Sequence, residues 1–165
     1  MENLHAYWRM EYVTQEKSPE ERRPFAELPQ QTDDKANLII SREEHSFIIM
    51  NRYPYNAGHL LILPYREIPD LEDLSESERL CFINTTVKGK RILKKALNPD
   101  GFNIGLNLGT AAGAGIPKHL HQHIVPRWSG DTNFMPVLGS TRVLPQSLAA
   151  MWDHLKATCD TLDSQ

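Results

Sequence analysis

The chain has 165 residues, 40% of them hydrophobic, with 18 Lys and Arg against 21 Asp and Glu for a formal charge of -3. This is the length of one ordinary domain with a real core, and the slight acidic excess argues against a protein that coats nucleic acid, which normally carries a basic surplus. Met1-Glu2-Asn3 opens with no basic or apolar signal stretch, and no run approaches the ~20 apolar residues of a bilayer span. A cytoplasmic protein without a membrane partner is expected, with Cys81 and Cys159, which form no CxxC pair, as reduced thiols.

In chain order, Tyr7-Trp8-Arg9-Met10-Glu11-Tyr12-Val13 carries three aromatics, read as packing an N-terminal turn onto the core. Glu16 to Lys35 is charged, contains Pro19, Pro24 and Pro29, lacks an apolar period, and reads as a loop or loosely attached arm. Asn37 to Ile40 and Ser46 to Asn51 are β-rich runs around polar Ser41-Arg42-Glu43-Glu44-His45, the pattern of a hairpin. A turn through Tyr53 to Gly58 leads into His59-Leu60-Leu61-Ile62-Leu63, stopped by Pro64. Ser75 with Glu78 forms a capping box, and Leu80, Ile83, Val87, Ile92, Leu93 and Leu97 recur at helical spacing. One long helix is therefore predicted from about Ser75 to Leu97, ended by Asn98-Pro99-Asp100-Gly101. Phe102 to Leu108 reads as a strand, a second follows the glycine-rich loop, and Leu148 to Cys159 reads as a short terminal helix. Strands, one long helix, then more strands is the α+β order, with the helix on one face of an antiparallel sheet of about five strands. Residues 1–36 are read as an N-terminal arm, 37–130 as the domain core and 131–165 as an extension packing on the same domain.

Three of the seven histidines alternate in His119-Leu120-His121-Gln122-His123, followed by Ile124, Val125 and Pro126. If this is a strand, side chains two apart share one face and three imidazoles line a single surface. Such a row can hold a nucleophile, a proton donor and an anion ligand near neutral pH. A metal site is the chemical rival. Zn–N bonds of about 2.0–2.1 Å demand convergence, whereas the outer two histidines of an extended strand lie ~13 Å apart at Cα. Two of them could share a metal, but no Asp, Glu or Cys completes a set by local spacing.

Before the row, Asn103, Gly105, Asn107, Gly109, Gly113 and Gly115 alternate with small residues, a pattern whose amides can face an anion or simply turn the chain. Neither GxxxxGK[ST] nor GxGxxG before a helix occurs. Asn51, Gly58 and His59 add a third element. Together the loop, the row and the fourth histidine describe a phosphoryl-centre site.

These residues resemble the histidine-triad (HIT) family of nucleotide hydrolases and transferases, whose signature His-φ-His-φ-His-φ-φ stands here as His119-Leu-His121-Gln-His123-Ile-Val. Ser46 to Pro64 is similar to the family in order and spacing, and the resemblance runs from about Asn37 to Arg127. Trp8 to Tyr12, the Ala-Gly-Ala-Gly loop and Trp128 with Asn133-Phe134 look like a bacterial branch related to diadenosine tetraphosphate phosphorylases, with Fhit-like hydrolases as the next neighbours.

The resemblance implies a HIT-like fold that dimerises, and a dinucleoside polyphosphate cleaved at its α-phosphorus through a nucleotidyl-histidine, with water or phosphate as acceptor. It makes His121 the nucleophile and gives His123 the phosphate oxygens and leaving group. His59 would line the phosphate site, and His119 would hold strand and ring geometry. Asn51 matches a ribose contact, while Asn107 lies near a family phosphate-contacting glutamine. Gly113, Gly115 and Gln122 complete the expected substrate-binding set.

Gln122 departs from the φ pattern and favours the phosphorylase-like branch. Many members carry a structural zinc on an early CxxC pair and histidines. Here no early cysteine exists and Glu67 stands where those members have one ligand histidine, so no zinc and no required cofactor are expected; a nucleotide, phosphate or sulfate would occupy the pocket. The competing reading is a nucleotide-binding HIT protein without turnover.

Overall fold

The computed structural model describes residues 24–131 and 145–164. The aromatic run Tyr7 to Val13, and Asn133 and Phe134, lie outside the described residues. Five strands, β1 (Ile39–Arg42), β2 (Ser46–Met50), β3 (Leu60–Pro64), β4 (Gly101–Leu106) and β5 (Gln122–Arg127), form one sheet in the order β1-β2-β3-β5-β4. All four pairings are antiparallel. The α+β reading, the β1–β2 hairpin and the five-stranded sheet are as the residue pattern predicts.

Among the described residues three α-helices accompany the sheet: α1 (Pro24–Glu27), α2 (Glu76–Leu97) and α3 (Leu148–Asp163). The α2 start is the predicted capping box: Glu78 N–H donates to Ser75 Oγ and Ser75 N–H to Glu78 Oε2. It ends where Asn98 turns left-handed at φ 44°, a conformation asparagine tolerates better than most residues. Phe82, Ile92 and Leu93 are buried on the sheet side, with Ile48, Ile62 and Ile124 opposite. Gly89 allows the close approach: a Cβ there would meet Ile124 Cδ1 at 3.1 Å and Ile62 Cδ1 at 3.4 Å. The ~1 kcal/mol that a helical glycine costs is offset by this contact with the sheet.

Helix α3 runs four residues beyond Cys159 and ties itself to β1 through Trp152 Nε1, which donates to Ile39 O at 2.9 Å. Lys88 on α2 bridges Glu43 and Asp163. No helix among the described residues is long and apolar enough to cross a membrane.

The described part of the arm is not loose. Phe25 and Leu28 pack against the core, and Arg42 donates to Pro29 O at 2.6 Å, Gln31 O at 2.9 Å and Asp34 Oδ1 at 2.7 Å. The arm's described residues form one turn of α-helix and a 3-10 turn at Leu28–Gln30, too short to show an apolar period.

A second correction concerns the histidine row. β5 begins at Gln122, so His119, Leu120 and His121 precede the strand. The β3–β5 register, carried on from Ile62 opposite Gln122, would set Pro64 against Leu120, and proline has no N–H to extend the ladder. Leu120 N–H donates instead to Ile68 O at 2.6 Å, and His119 N–H to Ile116 O at 3.3 Å.

Candidate active site

The alternation that motivated the site survives the loss of strand pairing. Leu120 is buried in the core and Ile124 fully so, while Gln122 points at α2, where its side-chain oxygen lies 2.5 Å from Thr86 Oγ1. His121 and His123 therefore face away from α2, and their ring centroids are 5.2 Å apart. The expected contribution of Gln122 to the substrate side does not fit this placement. Its side chain lies under the sheet because its strand neighbours face the other way.

His59 enters from the turn before β3. Gly58 holds φ +74°, and a Cβ on it would stand 2.5 Å from Leu97 Cδ1, so only glycine turns the chain here. His59 N–H donates to Asn56 O at 3.2 Å and its carbonyl accepts from Asn51 N–H at 2.9 Å. Its ring centroid is then 5.1 Å from that of His123, with His59 Nε2 and His123 Nδ1 2.9 Å apart and one hydrogen between them.

Each histidine has a distinct environment. His121 is 7% exposed, and its Nδ1–H donates to His119 O at 2.8 Å, which leaves Nε2 with a lone pair. Burial pushes its pKa below the ordinary 6.5, partly opposed by that carbonyl. His119 is 2% exposed and donates from Nε2 to Pro64 O at 2.9 Å; burial lowers it too, against the pull of that carbonyl and of Glu67. His119 thus ties its segment to the end of β3.

Asn51 lies beside His59, with Nδ2 3.3 Å from His59 Nδ1. Asn107 follows β4 directly, one residue past the last pair of the ladder, Leu106 opposite Gln122. Gly113 N–H donates to Thr110 O at 2.9 Å and Ala114 N–H to Gly109 O at 3.3 Å, so those two amides close the loop's own turn rather than face an anion. Gly115 sits in an exposed bend.

Two residues were missed by sequence reasoning. Phe25 packs over the rings of His119 and His121, with centroids at 5.8 and 5.5 Å. Tyr55 stacks on His123 at 5.5 Å and 14°, and tilts on His59 at 4.6 Å. Nothing marks Phe25 in the one-turn segment that carries it; for Tyr55, its position four residues before His59 was the available cue.

An antiparallel sheet with an α-helix on one face and a cluster of histidines on the other defines an α+β protein with an imidazole-lined site. The HIT domain family profile matches residues 32–130. The chain is 40% identical over 155 residues to a protein of Mycobacterium tuberculosis named AP-4-A phosphorylase, covering 90% of this chain and 79% of that one. It is 33% identical over 93 residues to the bis(5'-nucleosyl)-tetraphosphatase (asymmetrical) of Schizosaccharomyces pombe, covering 56% of this chain and 50% of that one. Among solved structures, a Zn-bound histidine triad family protein from Mycobacterium smegmatis superposes with a TM-score of 0.66 at 27% identity, over 85% of this chain and 94% of that one. The chain belongs to the histidine-triad (HIT) family.

The zinc of that neighbour does not fit the residues described here. No three His, Cys, Asp or Glu side chains among the described residues converge on one point, and Cys81 and Cys159 are both free thiols. A structural Zn²⁺ takes four ligands, mostly Cys and His.

Proposed function

We propose that this chain is a nucleotidyl transferase acting on dinucleoside polyphosphates, with His121 as the covalent nucleophile. The observation that carries the reading is the His121 ring itself: buried, neutral, and tied at Nδ1 to the His119 carbonyl, so that Nε2 keeps its lone pair. The 40% identity to a protein named AP-4-A phosphorylase supports the substrate class.

In the first step the Nε2 lone pair forms an N–P bond to the α-phosphorus. The bond to the bridging oxygen breaks, its electron pair leaves on the polyphosphate, and the His123 N–H hydrogen-bonds to the oxygen that takes the pair. In the second step an acceptor oxygen attacks the same phosphorus, any proton it sheds passes to solvent, and the N–P pair returns to His121. Water yields a nucleoside monophosphate and phosphate a nucleoside diphosphate; the name of the M. tuberculosis relative favours phosphate. In this reading Asn51 contacts the ribose and Asn107 the phosphate oxygens.

We propose that the protein works as a homodimer. Strand β4 is a sheet edge, paired only with β5 among the described residues. Beside it Leu80, Ile83 and Val87 stand at helical spacing on α2 and are 64%, 56% and 42% exposed, with Ile104 of β4 at 43%. Lys90 lies over the Phe102 ring, which puts this flank of α2 next to β4. An open edge flanked by an apolar stripe is self-complementary about a two-fold axis. The two free thiols support a reducing, cytoplasmic setting.

The test is intact-mass analysis after mixing with diadenosine tetraphosphate and quenching without acid. An adenylyl adduct on the wild type, absent from His121→Ala, is expected. Tight nucleotide binding with neither adduct nor turnover would replace the reading with a non-catalytic nucleotide binder.

A further inference from the structure

We infer that Asn51 and the backbone N–H of Tyr55 set the proton pattern of the site from outside the triad: they hold His59 Nδ1 bare, so that His59 gives its Nε2 proton to His123 Nδ1 and His123 presents an N–H at Nε2 beside the nucleophile. The inference rests on the function proposed above for its consequence, but not for its geometry.

Tyr55 N–H donates to His59 Nδ1 at 3.0 Å, and a backbone amide can only donate. Asn51 Nδ2 stands 3.3 Å from the same nitrogen. Its amide cannot be turned over without loss, because Asn51 Oδ1 already accepts the Tyr53 N–H at 2.9 Å. Two donors aimed at Nδ1 exclude a hydrogen there, so a neutral His59 carries its hydrogen on Nε2.

That hydrogen is the one between His59 Nε2 and His123 Nδ1, 2.9 Å apart. His123 Nδ1 is therefore an acceptor, and a neutral His123 carries its own hydrogen on Nε2. His121 has the opposite tautomer, held by the His119 carbonyl at its Nδ1. Two imidazoles with centroids 5.2 Å apart thus offer a lone pair for attack and an N–H to hydrogen-bond the charge that develops on the leaving oxygen. The Tyr55 ring, stacked on His123 and tilted on His59, holds both planes in register with the shared hydrogen bond.

Asn51 and Tyr55 are positioning residues in this scheme, acting through His59. The role is compatible with a ribose contact, since the Asn51 amide keeps a second hydrogen and a second lone pair. Asn51→Asp separates the two. A carboxylate still accepts from Tyr53 N–H and from a ribose hydroxyl, but it faces His59 Nδ1 with a charged acceptor whose pull outweighs that of the neutral Tyr55 N–H still aimed there, and it draws the hydrogen onto Nδ1. The His59–His123 bond then reverses and His123 Nε2 is left bare.

The experiment is nitrogen NMR of histidine-labelled protein at about pH 8.5, two units above the ordinary imidazole pKa, without substrate. Expected for the wild type are Nε2–H on His59 and His123 and Nδ1–H on His121. For Asn51→Asp the His59 and His123 hydrogens move to Nδ1, and kcat falls about 10²-fold, the scale of one lost donor to developing charge, with KM within about twofold. A wild-type His123 protonated at Nδ1 overturns the inference, as does an Asn51→Asp protein with unchanged tautomers and kcat. Tautomers as assigned without an adduct on His121 would uphold this inference and sink the nucleotidyl-transfer reading.

Discussion

His121 gives its Nδ1 hydrogen to the carbonyl oxygen of His119, two residues back, at 2.8 Å. The His119 ring in turn donates to Pro64 O at the end of β3. The His121 tautomer is thereby fastened to the sheet through one backbone carbonyl, and both rings are withdrawn from water, which disfavours their charged forms.

Adduct formation should persist below pH 6.5, because burial lowers the His121 pKa from that value and keeps Nε2 bare in mild acid. The folded state binds protons less readily than the unfolded one at both His119 and His121. Stability is therefore complete above 6.5 and declines as the pH falls below it toward the lowered folded values. Single-turnover rates and Tm measured from about pH 8 to about pH 5 check both limbs; an acid limb centred at or above 6.5 contradicts the assignment.

Thr86→Val should cost about 1–3 kcal/mol by leaving the Gln122 amide without its partner. Thr86 Oγ1 lies 2.8 Å from Phe82 O and 2.5 Å from the Gln122 oxygen, yet a hydroxyl has one hydrogen for two acceptors. The consistent arrangement turns the amide over, so that Gln122 Nε2 donates to Thr86 and Thr86 to Phe82 O. Adding Gln122→Leu should recover much of the loss, since removing both partners is nearly neutral; a double-mutant cycle by urea unfolding with no coupling would refute the pairing.

Ser75→Ala should lower stability by about 1 kcal/mol, a fall in Tm of about 2–4 °C for a chain of this size. The Arg66 guanidinium, with the Ser75 N–H, holds the Glu78 carboxyl down at about 2. The cap's carboxylate contribution is thus complete above the ordinary glutamate range and is lost only as the pH falls toward that value. Thermal melts of wild type and variant at neutral pH decide it.

Ile83→Arg should turn a dimer into a monomer by placing a charge in the exposed stripe beside β4. Light scattering of the wild type should give twice the chain mass; a wild-type monomer at assay concentration would reject the interface.

Treatment with chelator should leave turnover unchanged and elemental analysis should find no stoichiometric metal. Activity lost to chelator and restored by zinc would require a ligand set beyond the described residues.

Much of this was legible in one dimension. Apolar runs ended by Pro64 and Pro126 marked β3 and β5, and Ser75 with Glu78 marked the start of α2, because strand and cap signals are carried by neighbours in the chain. The row of histidines was visible for the same reason. Less visible was the break in its strand, which depends on what lies opposite: Pro64 belongs to another segment. Phe25 escaped because a single turn of helix shows no period.

The residues alone determined the α+β order, the cap of α2 and the three histidines spaced two apart, since all depend on backbone geometry within a few positions. Tertiary structure decided the chemistry of those histidines. His59 meets His123 across 64 positions, Gln122 is turned under the sheet to Thr86, and the Gly113 amide closes its own turn. Which ring nitrogen holds a hydrogen is set by the donor or acceptor facing it, and here those partners include groups brought near only when β3 and β5 pair side by side.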